Sequence, residues 1–422
     1  MSDGPSSPAP PALSRPLILL LSIACGITVA NVYFPQALSP LIADDLDVTS
    51  SSAALVATCA QLGYAAGIFL VVPLGDRLRH RGLVTTLLLI TCAGLVLAGA
   101  APSLPVLAVA GALVGLTTVI PQILIPMAAG LTAPQRRGTV TGTLLSGLIG
   151  GILLARTFSG TLGQWLGWRA PYLVAAALVL LLALVMAAVL PRTTPSTGRP
   201  YPTLLAASVH LLRTEPLLRR SCQYQALLFA AFSAAWTALA LFATGPEYEL
   251  GTPAVGVIAL VGAVSVFATP VAGRRTDRSG PDAVNLVCMI GAVAAGALLL
   301  AGSLGGPVGL VGLGAGMLLL DVAVQSGQVA NQARILALRA EARARLNTAY
   351  MTCAFLGGST GSWLGVRAYT AFGWNGVCAL VAVLAGLALL RHVLRGRPVR
   401  TTASPSEETG APGNEPSPSP CC

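Results

Sequence analysis

The sequence predicts an all-α membrane protein, with twelve transmembrane helices in two pseudo-symmetric six-helix bundles. Three observations carry that expectation. Of the 422 residues, 55% are hydrophobic and 9% are charged, and the mean hydropathy is +0.77; a soluble domain carries roughly a quarter charged residues. Apolar runs of the ~20 residues that a bilayer crossing requires recur twelve times along the chain. The arginines, finally, fall almost entirely on one side of that series.

The chain opens MSDGPSSPAPPALSRP, rich in Pro and Ser and without a basic leader segment. Residues 1–15 therefore read as a disordered tail and not as a cleavable signal. Apolar runs near 17–43, 51–74, 82–101, 104–130, 139–164 and 170–190 compose a first bundle over 16–190. A linker over 191–220 follows, and runs near 222–244, 252–273, 283–303, 307–333, 346–368 and 375–391 compose a second bundle over 221–395. Residues 396–422, rich in Pro, Ser and Glu, read as a second disordered tail. Within the linker, Leu204, Leu205, Leu211, Leu212, Leu217 and Leu218 alternate with arginines. That pattern suits either an amphipathic helix lying along the headgroups or a solvated connection.

The net charge is +10, and the 25 basic residues are all arginine. Such a balance usually points to nucleic acid, but here its placement has another meaning. With both termini cytoplasmic, only Arg156, Arg169 and Arg367 fall outside the inner loops, linker, tails and inner helix ends; the remaining 22 of 25 lie inside. Arginine-rich loops stay on the cytoplasmic side of a membrane. The expectation is a multi-pass protein of the cell inner membrane, with the lipid bilayer and not nucleic acid as its surroundings. The nine cysteines are scattered without a CxxC pair, which gives neither a disulfide framework nor a zinc site, and the terminal Cys421-Cys422 pair is assigned no role.

The two bundles echo each other. GDRLRHRG at 75–82 and GRRTDRSG at 273–280 both join a second to a third helix, and Asp76-Arg77 matches Asp277-Arg278 at a spacing of 201 residues. Gly147, Gly151, Ala155 and Ser159 place a small residue at every fourth position, as do Gly357, Gly361 and Gly365. Gly167-Trp168 and Gly373-Trp374 follow these runs, 206 residues apart. Small residues at helical spacing let backbones approach closely where lipid supplies no hydrophobic drive. Internal repeats of this kind are characteristic of transporters.

Twelve spans, a long central loop and G-x-x-x-D-R-x-G between the second and third helices make the chain resemble the major facilitator superfamily. The second half carries the motif intact as Gly273, Asp277, Arg278 and Gly280; in the first half Val72 and Arg79 replace two glycines while Asp76, Arg77 and Arg81 remain. ANVYFPQALSPLI at 30–42 and APQRRGTVTG at 133–142 are similar to twelve-span drug:proton antiporters. The antiporter signature of the fifth helix is half present: Gly147 and Gly151 stand, but Ile152 and Ala155-Arg156 replace its proline and final glycines. The resemblance implies alternating access, with a central cavity lined by helices one, four, seven and ten. It also implies a cytoplasmic gate at Asp76, Arg77, Arg81, Gly273, Asp277, Arg278 and Gly280, closed when the protein opens outward.

Asp321 is the one acid expected near a bilayer midplane, in GAGMLLLDVAVQSGQVANQ. A charged residue there costs at least ~2.5 kcal/mol and normally marks a pathway. Gln325, Gln328 and Gln332 follow at offsets of 4, 7 and 11, on the same helical face. The stripe reads as a cavity wall headed by a proton-coupling acid, or as a carboxylate satisfied by neighbouring helices. Arg156, the only arginine deep in a span, has three readings: a pair with Asp321 in proton coupling, an anion-binding group, or a side chain reaching the outer face. Asn31, Tyr33, Gln36, Gln122, Tyr224, Trp236, Gln325 and Gln328 are the candidate cavity residues, with Thr237 beside them. A cavity with so few charges suits a small amphiphilic organic compound.

A chain without lysine has no nucleotide-binding GxxxxGK[ST] loop. His80, His210 and His392 are too few and too peripheral for a metal site or relay. No cofactor, metal or enzymatic activity is expected. The favoured function is proton-coupled efflux of a drug or metabolite by a monomer. Proton-coupled uptake of a nutrient and a non-transporting membrane sensor are the alternatives.

Overall fold

The computed structural model describes residues 13–133, 136–191, 200–251, 253–262, 264–339 and 342–394. Most of both expected tails, Arg192 and Arg199 of the linker, and Glu341 lie outside the described residues. Among those described, the structure is helical throughout, without a strand.

The first span is α1 (Arg15–Ala30) followed by α2 (Phe34–Asp45). A one-turn break at 31–33 separates them, because Pro35 cannot donate the backbone hydrogen bond that would close the next turn. The second span is α3 (Ser50–Leu70), capped by the Thr49 hydroxyl on the Ser52 amide, and ends in the single turn α4 (Leu74–Arg77) after Pro73. The third is α5 (His80–Gly99). The fourth comprises α6 (Leu104–Thr117) and α7 (Ile120–Gly130), broken ahead of Pro121. The long α8 (Arg137–Leu166) and α9 (Arg169–Val189) complete the first half.

The linker contains α10 (Tyr201–Thr214), an amphipathic helix that buries Leu204, Ser208 and Leu211. Of the two forms the sequence allowed, the packed helix is the one found. The Tyr201 hydroxyl donates 2.5 Å to the Leu70 carbonyl, which ties this helix to the first half. The seventh span, α11 (Pro216–Ala243), starts at Pro216, earlier than the apolar run suggested, since its first turn carries arginines. Then come α12 (Pro253–Gly262), α13 (Ser265–Leu299), α14 (Gly306–Leu336) and α15 (Arg343–Leu394).

Among the described residues ten helices are long and apolar enough to cross a membrane, and two of them, Pro253–Leu304 and Arg343–Leu394, are 52 residues long. At 1.5 Å per residue, each has more than twice the length one crossing needs. Each also contains one glycine with a left-handed backbone, Gly280 (φ 80°) and Gly373 (φ 64°), a conformation that favours glycine. Each therefore doubles back there, and ten helices become twelve crossings. An even number of crossings leaves both ends of the described chain and α10 on one face, here termed the linker face.

The halves repeat in their packing. A Cβ on Gly147 or Gly151 would strike the backbone of Ser22 or Gly26, so the fifth span lies directly on the first. Gly357, Gly361 and Gly365 lie in the same way on Ala226, Ala230 and Ala234, joining the eleventh span to the seventh. Between the halves, α3 packs on α15 and α8 on α12. Outward-facing Leu154, Leu181, Phe267 and Val311 are largely exposed and form the lipid-facing surface.

Candidate functional site

Asp321 lies midway along α14, fifteen residues from either end, and is 2% exposed. Its Oδ1 accepts from the Trp236 indole N–H at 2.9 Å, while its Oδ2 has no partner and lies against Gly262 of α12, where a Cβ would collide with it. The face of the same indole carries Arg156: the guanidinium carbon sits 4.0 Å from the Trp236 ring centroid. It also lies 5.0 Å from the Tyr33 ring and 5.7 Å from Phe232. A cation over an aromatic face is attracted by the ring quadrupole, the more so when desolvated. Arg156 Nε donates 2.9 Å to Gln36 Oε1, and Nη2 is left without an acceptor.

Arg156 is fully buried and no ion pair joins it to Asp321; the indole of Trp236 touches both, the arginine at its face and the carboxylate at its N–H edge. In this conformation the arginine neither pairs directly nor reaches a surface. The helix break at 31–33 turns Tyr33 and Gln36 toward it, and the α11 stripe of Phe232 and Trp236 closes it from the second half. Asn31, 2% exposed, has both amide atoms unpartnered. Arginine, asparagine and glutamine donors and one carboxylate oxygen are thus left open inside an aromatic enclosure.

At the depth of Trp236 the Ser362 hydroxyl binds Thr58 at 3.1 Å and Thr237 at 2.9 Å, and one turn nearer the linker face Ser233 donates 3.2 Å to Gln61, so α3, α11 and α15 are tied together around the site. Toward the linker face burial loosens. Gln325, Gln328 and Gln332 are only half-buried, with Gln328 accepting from Gln225 at 3.3 Å and Gln332 reaching the Met351 sulfur at 3.8 Å. Gln122 accepts from Asn347 of the other half at 3.4 Å. Tyr224 lies apart from the Arg156 group: its hydroxyl accepts 2.8 Å from Arg220 and its ring faces His392.

The motif turns behave differently in the two halves. Asp76 is half-buried in α4 and engaged with a neighbour, beside exposed Arg77 and half-buried Arg81. Asp277 and Arg278 are exposed and form no described ion pair, with Gly273 half-buried ahead of them and Gly280 making the turn. The second-half acid that does engage arginines is Asp282, which binds Arg220 at 2.8 Å and also Arg334. That cluster was not legible, because its members are up to 114 residues apart in sequence. Gln61, Ser233 and Phe232 were missed because isolated polar or aromatic residues within a span read as packing. Among the described residues no group of His, Cys, Asp or Glu could hold a metal ion.

The chain matches the Major Facilitator Superfamily over residues 18–362. It is 37% identical over 381 residues to an uncharacterized transporter, YgaY of Escherichia coli, covering 90% of this chain and 95% of that one. A chloramphenicol resistance protein of Streptomyces lividans is 29% identical over 62% of this chain and 67% of its own. A probable nitrate/nitrite transporter of Mycobacterium tuberculosis is 28% identical over 64% and 69%. A solved structure of the nucleoside transporter NupG superposes with a TM-score of 0.71 at 15% identity, covering 90% of this chain and all of that one. The polytopic helical fold, its repeat and these matches define a multi-pass membrane transporter. The protein belongs to the major facilitator superfamily.

Proposed function

We propose that the protein is a monomeric, proton-coupled exporter of a small amphiphilic organic compound, working by alternating access. On this reading the linker face is the cytoplasmic side of the cell inner membrane, which the arginine distribution supports. The observation that carries the reading is Asp321. It is the acid at mid-span depth, buried, held by one oxygen on Trp236 and open at the other, at the head of a polar stripe that loosens toward the linker face. Protonation there changes the charge opposite Arg156 without breaking an ion pair, so a proton and a substrate in the aromatic enclosure alter each other's binding; that mutual effect is what coupling requires. The chloramphenicol resistance relative supports efflux of an amphiphile, with substrate rings against Tyr33, Phe232 and Trp236. Uptake of a small nutrient is the second reading, favoured by the nitrate/nitrite relative and by the open Nη2 of Arg156.

Asp321→Asn imitates the protonated carboxyl. In proteoliposomes it retains downhill exchange of a transported compound and loses accumulation driven by an imposed pH step. Gradient-driven accumulation that survives with unchanged pH dependence reduces Asp321 to a structural residue. Substrate classes are separated by screening toxic compounds and metabolites against cells with and without the protein, in the presence and absence of an uncoupler.

A further inference from the structure

Between the linker-face ends of the seventh and twelfth spans runs an apolar groove of about 470 Å³, lined by Leu227, Leu387, Leu390 and Leu394, with Arg391 among them. The four α15 residues share one helical stripe, at offsets of 3, 4 and 7. Next to Arg391 lies an excess of positive charge. One carboxylate, Asp282, answers two guanidiniums, those of Arg220 and Arg334. Arg220 also holds the Tyr224 hydroxyl at 2.8 Å, and the Tyr224 ring lies 5.5 Å from that of His392, which joins the cluster to the twelfth span. The neighbouring acid Glu215 is already engaged by Arg339. Meanwhile Arg334 Nη1, Arg391 Nε and His392 Nδ1 are buried without a partner among the described residues. A buried cationic donor left without an acceptor is costly, and two of these atoms, those of Arg334 and Arg391, are of that kind.

We propose that this groove binds an anionic phospholipid, with an acyl chain along the leucines and the phosphate against Arg391, Arg220 and His392 behind it. Basic pockets between transmembrane helices at one membrane face recognise such headgroups. A second apolar groove, at the opposite face between the eleventh and twelfth spans, supplies the contrast. Each groove is lined by a single arginine; here it is Arg367, whose guanidinium lies over the Trp363 ring at 5.5 Å and leaves no buried atom unpartnered among the described residues. Apolar shape is common to both grooves; the surplus of unanswered charge belongs to the first.

The test is thermal unfolding of the purified full-length protein in detergent micelles supplemented with phosphatidylglycerol, phosphatidylcholine or glycerol phosphate. Phosphatidylglycerol raises the midpoint above the value reached with phosphatidylcholine at equal mole fraction. Arg391→Gln abolishes that difference, as does Leu387→Trp, which fills the groove and keeps every charge; Arg367→Gln preserves it. Leu387 is 48% exposed, so its replacement leaves folding intact and decides the matter if Arg391→Gln does not fold. An equal rise with phosphatidylcholine, the same rise with soluble glycerol phosphate, or persistence of the difference in Leu387→Trp overturns the proposal.

Discussion

The hydrocarbon core of a bilayer offers a carboxylate no donor and a guanidinium no acceptor, so at mid-span each must find its partner inside the protein. Trp236 serves both, its N–H on Asp321 and its ring face under Arg156. The two functions of the indole separate by substitution. Trp236→Phe keeps a ring beneath the arginine and removes the N–H, which leaves Asp321 without a described hydrogen bond. Loss of one partner from a buried polar group costs about 1–3 kcal/mol. The expected outcome is a lower thermal midpoint and weakened gradient-driven transport, with exchange retained; an unchanged midpoint would show that the N–H contributes nothing. Trp236→Leu removes the ring as well and lowers the midpoint further. The sequence revealed that Asp321 and Arg156 were deep and unusual, because charge within an apolar run is conspicuous. It did not reveal that one aromatic residue would contact both, since Trp236 in α11 is equally suited to core packing.

At the scale of elements, the small-residue stripes were legible because the fourfold spacing of Gly357, Gly361 and Gly365 is helical. Their partner was not, since Ala226, Ala230 and Ala234 sit in an alanine-rich span where such a stripe has little contrast. Gly361→Leu forces α15 off α11, and overpacking of this kind costs about 1–3 kcal/mol. Gly386→Leu, at a site with open space around its Cα, is the control that leaves the midpoint unchanged. Equal effects of the two would show that the close helix approach contributes little. The helix count differed for a related reason. Hydropathy separates the eighth span from the ninth and the eleventh from the twelfth, whereas the backbone turns at Gly280 and Gly373 without leaving helical pairing for long.

At the scale of the whole molecule, the linker-face assignment predicts that single cysteines at Arg79 and Glu249, in a cysteine-depleted background, are labelled from opposite sides of the membrane. Labelling of both from outside intact cells would overturn the proposed orientation. The intact motif at Asp277 carries a second expectation. Since Asp277 is exposed and without an ion pair among the described residues, Asp277→Asn leaves stability within about 0.5 kcal/mol but slows exchange more than Asp76→Asn. Poor folding of Asp277→Asn would instead identify a helix-capping role. The hydrogen bonds that join the halves beside the site have their own consequence for the transport cycle. Thr58 on Ser362 and Ser233 on Gln61 join the two halves through neutral groups, each bond contributing about 1 kcal/mol. Together they bias the closed arrangement by roughly thirty-fold in population. A latch so shallow opens by thermal motion, and differential binding of one proton or one substrate is enough to reverse its preference.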